Sequence, residues 1–389
     1  MKLYQKEINK QIEKFTVGND YLLDQKLIKF DCIASIAHAK MLKKIGLLDE
    51  DELSKLLIGL NKIIKLNKEN KFKIKQEQED CHTAIENYLT QEYGKIGEKT
   101  HTCRSRNDQV LTALRLYEKE ELLLIKNLLN EFKKSLSEII NKDGSIKIPG
   151  YTHMQKAMPT DIKTWLGCFI DSTDDNIILL ESVHNLIDQS PLGSAAGFGS
   201  PIKVDKEMTA NLMGFSKVMK NPIYCQLSRG KFESTILHLL TQIMFDLNKL
   251  STDLIMFNMQ EFGFVELNKE HSTGSSIMPQ KNNPDVLELV RSKYHIILAE
   301  EFKVKSLIGN LISGYNRDVQ LTKEPVISSI ETVKECINII MLVLSGIKIN
   351  KQNCEKSMTK ELFATKETYK LVKEGIPFRE AYKKIKQSF

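Results

Sequence analysis

Between Arg106 and Asn141 the apolar positions Val110, Leu114, Tyr117, Leu122, Ile125, Leu129, Phe132, Leu136 and Ile140 recur every three to five residues, without a glycine or proline. This spacing keeps them on one face of a 3.6-residue repeat and predicts one long amphipathic helix. Runs free of both breakers from Lys231 to Phe262 and from Val286 to Ile308 predict two more. The second of these is opened by Asn283-Pro284, with proline suited to a first helical turn, and closed by Gly309. Trp165 to Ile187 predicts another of similar length. All four exceed the usual mean of about 11–12 residues, which favours an elongated bundle. Period-2 alternation is nearly absent and no β-hairpin stands out, so the expected class is all-α.

Between the helical runs lie loops rich in Gly, Ser, Pro and Asn: "GEKTHTCRSRNDQ", "PGYTHMQKAMPT", "SPLGSAAGFGSP" and "HSTGSSIMPQKNNPD". They also carry His101, His153, several hydroxyls and several cations. Loops on a rigid scaffold are where binding and catalysis concentrate, so the four together point to a composite active site.

Composition narrows the class. The chain has 389 residues, 41% hydrophobic and 27% charged, too apolar for disorder. A net charge of +6 with no cationic block disfavours a nucleic-acid partner and stays compatible with an anionic small molecule. The charged start "MKLYQKEINKQIEKF" reads as no secretory signal, and no window approaches the ~18 apolar residues of a membrane span. Seven scattered cysteines, never spaced as CxxC, read as free thiols in a reducing cytoplasm. No histidine pair has metal-ligand spacing with a nearby carboxylate on one face, which disfavours metal catalysis.

His153 follows Pro149-Gly150 and precedes a predicted helix, which places it at a turn with Thr152 and Gln155 to fix its tautomer. His101 has similar company, whereas His38, His184, His238 and His295 fall in apolar helical runs and read as core or interface residues. Arg104 and Arg106 flank Ser105; they can grip a carboxylate, or the segment can be a capped helix start with Ser105 or Asn107 as cap. In the last loop Lys281 and Asn283 can hold a carboxylate, and Ser275 or Ser276 can supply a reactive hydroxyl. Met278-Pro279, an apolar pair in a polar run, implies that this loop folds onto something. "GSAAGFG" follows no strand and makes a poor dinucleotide loop.

Taken together, the loops resemble those of a known family. "GSSIMPQKNNPD" is similar to the signature of the fumarase/aspartase superfamily, whose members break a C–N or C–O bond and release fumarate. "HTCRSRNDQV", "PGYTHMQKAMP" and "GYNRDVQLTKE" resemble, in order, three further motifs of its argininosuccinate lyase branch, and similarity runs from about Phe15 to Ala381. The resemblance implies a fumarase/aspartase-like fold with a long central helical bundle and a cytoplasmic homotetramer whose active sites are shared between chains. It implies neither a cofactor nor a membrane association. It divides the chain into an N-terminal helical domain (1–105), a central tetramerising bundle (106–349) and a shortened C-terminal helical domain (350–389).

By position, Ser275 matches the family's catalytic serine, His153 its catalytic histidine and Lys281 the lysine that stabilises the intermediate. Thr152, Asn107, Asn283, Tyr315, Gln320 and Lys323 match substrate contacts, and His101 and Ser105 match residues in or beside the site. The implied reaction is the reversible β-elimination of argininosuccinate to arginine and fumarate, with Ser275 and His153 exchanging protons in an order left open. Closure of the 271–283 loop would bring Ser275 in only with substrate bound. Another fumarate-releasing lyase (adenylosuccinate lyase or fumarase) or a catalytically silent crystallin-like relative is the alternative. "SRNDQ" and Gln280 speak against the former, and the retained Ser275, His153, Lys281 and Asn283 against the latter. Departures are Cys103 in place of a glycine, "KLYQKEINK" in place of the usual opening, and altered segments at 16–24 and 221–233, where the arginine register shifts onto Arg229.

Overall fold

A computed structural model describes residues 9–388. The altered opening segment lies, through residue 8, outside the described residues. The chain forms two compact units: Met1–Leu124 with Leu180–Leu239 and Leu298–Ile330, and Ile125–Leu179 with Leu240–Ile297 and Glu331–Phe389.

In the first unit, α1 (Ile28–Lys44) and α2 (Glu50–Lys68) pack beside α3 (Cys81–Tyr93). Helix α2 starts with a reciprocal cap: the Asp49 carboxylate accepts from Glu52 N, and Glu52 accepts from Asp49 N. Asp80 caps α3 by accepting from Thr83 N at 2.8 Å.

The long helices fall where the apolar spacing puts them. Helix α4 (Arg106–Asp143) buries Val110, Leu114, Tyr117, Leu122, Ile125, Leu129, Phe132 and Leu136. Helix α5 is Ile162–Ile187, α6 is Lys231–Asn258 and α7 is Asp285–Leu307. Helix α6 stops short of Phe262 because the chain turns at Met259, with Gly263 at φ +55°. A fifth long helix, α8 (Lys323–Gly346), has no counterpart in the sequence expectation. Pro325 stands in its first turn, where no N–H partner is needed. In the second unit, α5 and α6 share polar rungs: Trp165 Nε1 donates to Asp253 at 2.9 Å, and Ser172 and Asn176 donate to Asp246.

The absence of a β-hairpin needs correcting. Strands β1 (Lys147–Thr152) and β2 (Gln155–Asp161) form one, antiparallel and with a register shift between Pro149 and Tyr151. Prolines at 149 and 159 face each other across it, and Gly150 interrupts it. Those residues erase the alternation by which a hairpin is read from sequence.

Candidate active site

In the first unit a cavity of about 460 Å3 has a charged wall and opens between the ends of several helices. Ser105, Asn107, His101, Tyr315, Gln320 and Lys323 all line it, so the structure brings together six of the residues singled out from the sequence.

The start of α4 explains why Asn107 is there. The Ser105 hydroxyl accepts from Asn107 N at 3.3 Å, and Ser105 N donates to Asp108 at 2.9 Å, so the capped-helix reading of "RSRND" holds. The other Asp108 oxygen accepts from Gly193 N and Ala195 N at 3.0 and 2.8 Å. The loop "GSAAGFG" is therefore a backbone cradle for a buried carboxylate, which binds it to the helix start.

The two arginines do not act as a joint carboxylate grip. Arg104 is buried and donates to the Thr100 carbonyl and to Ser35 Oγ. Arg106 is held by Asp80, with Nε at 2.7 Å, and by Glu79 at 3.1 Å. Cys103, in the same loop, has φ +61°, a left-handed conformation that glycine adopts without cost. His38 Nε2 lies 2.8 Å from the Thr102 carbonyl and donates to it as the neutral imidazole. Burial and the charge of Arg104 push its pKa down to about 3. Of the four histidines read as core or interface, His38 is buried, while His295 is exposed.

At the opposite wall Lys323 is 1% exposed, its ammonium ion-paired with Asp24 and, at 3.0 Å, with Asp20. Burial raises the pKa of Asp20 more than Lys323 lowers it, and Asp24 adds to the rise. Gln320 Nε2 and Arg317 Nη2 both donate to the Thr16 carbonyl, at 3.0 and 2.9 Å.

Sequence reasoning missed Asp80 and His82, which also line the cavity. His82 Nδ1 lies 3.2 Å from Asp31. Burial opposes its charged form, but Asp31, Asp80 and Asp24 outweigh burial and hold the pKa above the ordinary value. The available signal was "EDCH" directly ahead of an apolar helical run, an N-cap with polar neighbours. Asp24, Cys81 and His82 place donor atoms within 4.8 Å of one another. They make a poor metal centre: Asp24 already faces the Lys323 ammonium, and burial holds the Cys81 thiol protonated.

Thr152, His153, Ser275, Lys281 and Asn283 belong to the second unit and do not line this cavity. His153 does sit at a turn, but between two strands rather than before a helix. His153 and Met154 form the two-residue loop, at φ +52° and +60°. A turn of this hand usually takes Asn-Gly, and side chains there cost roughly 1–2 kcal/mol each. Both side chains are exposed.

Ser275 lies in a loop whose base is a short ladder, Thr273 opposite Asn283 and Gly274 opposite Asn282. Its Oγ accepts from Met278 N at 3.1 Å and Ile277 N at 3.3 Å, two donors that favour an oxygen carrying negative charge. Lys281 is exposed and Asn283 half-buried. Within the chain the Met278-Pro279 pair is left exposed, Met278 to 43%, and Ile277 beside it is 85% exposed.

Similarity to known proteins identifies the family and the fold. A family model described as "Lyase" matches residues 4–298. An argininosuccinate lyase from Thermotoga neapolitana is 51% identical over 100% of this chain and 98% of its own length. One from Phocaeicola vulgatus is 39% identical over 99% of this chain and 86% of its own. Among solved structures, a fumarate lyase:delta crystallin from Brucella melitensis superposes with TM-score 0.82 at 18% identity, covering 98% of this chain and 91% of that one. A class II fumarase from Schistosoma mansoni gives 0.81 at 16% identity, over 96% and 91%. These two speak for the fold, an all-α bundle of the fumarase type. By full-length identity to its curated relatives, the chain belongs to the argininosuccinate lyase family.

Proposed function

We propose that this chain catalyses the reversible cleavage of argininosuccinate to L-arginine and fumarate, the last step of arginine biosynthesis, as a carbon–nitrogen lyase. The observation that carries the reading is the full-length 51% identity to an enzyme of that name. The charged cavity lined by Asn107, Tyr315, Gln320 and Lys323 supports it, being of a size and polarity for a small zwitterionic substrate.

The chemistry requires removal of a weakly acidic proton α to a carboxylate, then departure of a guanidinium nitrogen. The electron pair of the C–H bond becomes the new C=C bond, and the C–N pair leaves with nitrogen, which must be protonated. Ser275 takes the Cβ proton, its oxygen prepared by the amides of Ile277 and Met278. Lys281 and Asn283 stabilise the dianionic aci-carboxylate that forms. His153 serves the leaving-group side as general acid, and the Ser275 and His153 roles exchange in the reverse reaction. Thr152 and Asn107 bind substrate beside them, with His101 and Ser105 shaping the wall.

The active unit is a cytoplasmic homotetramer formed by a central bundle (106–349), its sites built from loops of different chains. Exposure of Ile277 and Met278 within a single chain supports this, since apolar loop residues need a surface to cover them. The test follows ultraviolet absorbance as fumarate forms from argininosuccinate, adenylosuccinate and malate. Release from argininosuccinate alone is expected. Release from adenylosuccinate or malate instead would replace the substrate, and none from any, in a verified tetramer, would mark a silent relative.

A further inference from the structure

The turn that carries His153 does not hold itself. His153 and Met154 both take left-handed backbone, at φ +52° and +60°, with side chains that disfavour it. The β1–β2 pairing beneath is interrupted between Pro149 and Tyr151, where Gly150 lets the strands come close: a Cβ on it would meet the Met158 carbonyl at 2.9 Å. A lone two-stranded hairpin is marginal even with a favourable turn, so support must come from outside it.

That support is the chain between residues 348 and 363. Helix α9 (Lys351–Lys356) packs beside β1, and the turn Lys360–Phe363 packs beside β2. The segment is itself fixed to the end of α6. Val265 and Glu266 pair with Ile349 and Lys348, Asn350 N donates to the Phe264 carbonyl at 2.9 Å, and Asn353 Nδ2 donates to the Gly263 carbonyl at 3.0 Å. Cys354 and Leu362 are buried. Two side chains join the hairpin to this platform. The Tyr151 ring packs edge-on against Phe262, centroids 5.6 Å apart, and Lys156 Nζ donates to the Ser357 carbonyl at 2.9 Å. Ser357 is the C-cap of α9, where a lysine commonly takes up carbonyls left over by the helix. Lys156 also interacts electrostatically with Glu361 of the neighbouring turn. The two anchors form one rung of the ladder, Tyr151 opposite Lys156, directly below the closing pair Thr152 and Gln155.

We infer that Lys156 is a positioning residue for His153: it ties the hairpin to the C-terminal segment and so sets where the exposed imidazole is presented. This inference rests on the reaction proposed above, with His153 as its general acid. The competing roles are a direct contact with an anionic group of the substrate and a surface contact that stabilises the fold alone. Lys156 is exposed, so its replacement leaves no charge buried.

Kinetics and hydrogen exchange on the full-length tetramer separate these roles. Lys156→Met is expected to lower kcat about tenfold with KM changed by less than about twofold, and Lys156→Arg, which still donates to a carbonyl, to recover most of the loss. In a His153→Asn background the Lys156→Met change is expected to cost nothing further, because a residue that acts through His153 has nothing left to position. Amide exchange over residues 151–156 is expected to quicken about tenfold in Lys156→Met while α6 keeps its protection. Tyr151→Leu loosens the same rung from the other strand and is expected to reproduce the kcat loss, which gives the reading if Lys156→Met does not fold. A rise in KM at unchanged kcat overturns the inference in favour of a substrate contact. Wild-type kcat in Lys156→Met, with or without earlier melting, overturns it in favour of a stabilising contact, and an equal kcat loss with and without His153 overturns it as well. If the wild type releases no fumarate, the proposed reaction fails and exchange alone decides the tether: unchanged amides over 151–156 in Lys156→Met overturn it, and faster ones sustain it.

Discussion

Around the cavity of the first unit nearly every charged group has an answer within the fold: Lys323 with Asp24 and Asp20, Arg106 with Asp80 and Glu79, Asp108 with two loop amides. The hairpin and loop of the second unit are built differently. His153, Lys281 and Ile277 point outward, and Ser275 bonds only to amides two and three residues along its own loop. Residues that hold a substrate gain from being fixed in advance, since less ordering entropy is lost on binding. Residues that transfer protons gain from sitting on turns that can close over the substrate and exclude water. Mutations in the first region should therefore act on stability and KM, and mutations in the second on turnover alone.

The largest effect is expected in the second region. Ser275→Ala and His153→Asn should each lower kcat by about 10^3-fold or more, with the melting temperature unchanged. A fall in melting temperature to match would erase the contrast between the regions. In the first region, Lys323→Met strands the buried carboxylate of Asp24 and the half-buried one of Asp20 and should cost about 3–5 kcal/mol in denaturant unfolding. Adding Asp24→Asn to that variant should recover part of the loss.

A pH titration of stability sharpens the same contrast. His38 has a folded pKa of about 3 against an ordinary 6.5, so the unfolded chain takes up the proton first. Stability is thus intact above pH 6.5 and falls as the pH drops from there towards 3. The contribution lost between pH 6.5 and 5 is roughly 2 kcal/mol. His38→Gln should flatten that slope. The smallest effect is expected from Cys103→Gly, which relieves a left-handed backbone and should stabilise by about 1 kcal/mol in the denaturant midpoint.

The long helices were legible because burying one face of α4, α6 or α7 needs a repeat that the residues carry openly. The β1–β2 hairpin was not, since Pro149, Gly150 and Pro159 interrupt alternation and its turn uses His-Met rather than Asn-Gly. Ser275, His153, Lys281 and Asn283 could be named by resemblance, because they sit in short continuous motifs. The partners of Lys323 could not. A pairing between residue 323 and residues 20 and 24 leaves no local pattern, because it depends on a backbone path that only three dimensions supply.

The ion pair between Asp24 and Lys323 spans 299 positions. Its unit is assembled from three separate stretches of chain, the last ending at Ile330. During synthesis, at about 5–20 residues per second, Asp24 emerges many seconds before its cation exists. A nascent chain halted before residue 323 cannot complete this cavity and must keep Asp24 hydrated or protonated. The first unit is thus begun early but finished late, and ribosome-bound intermediates should remain open to protease until the start of α8 is free.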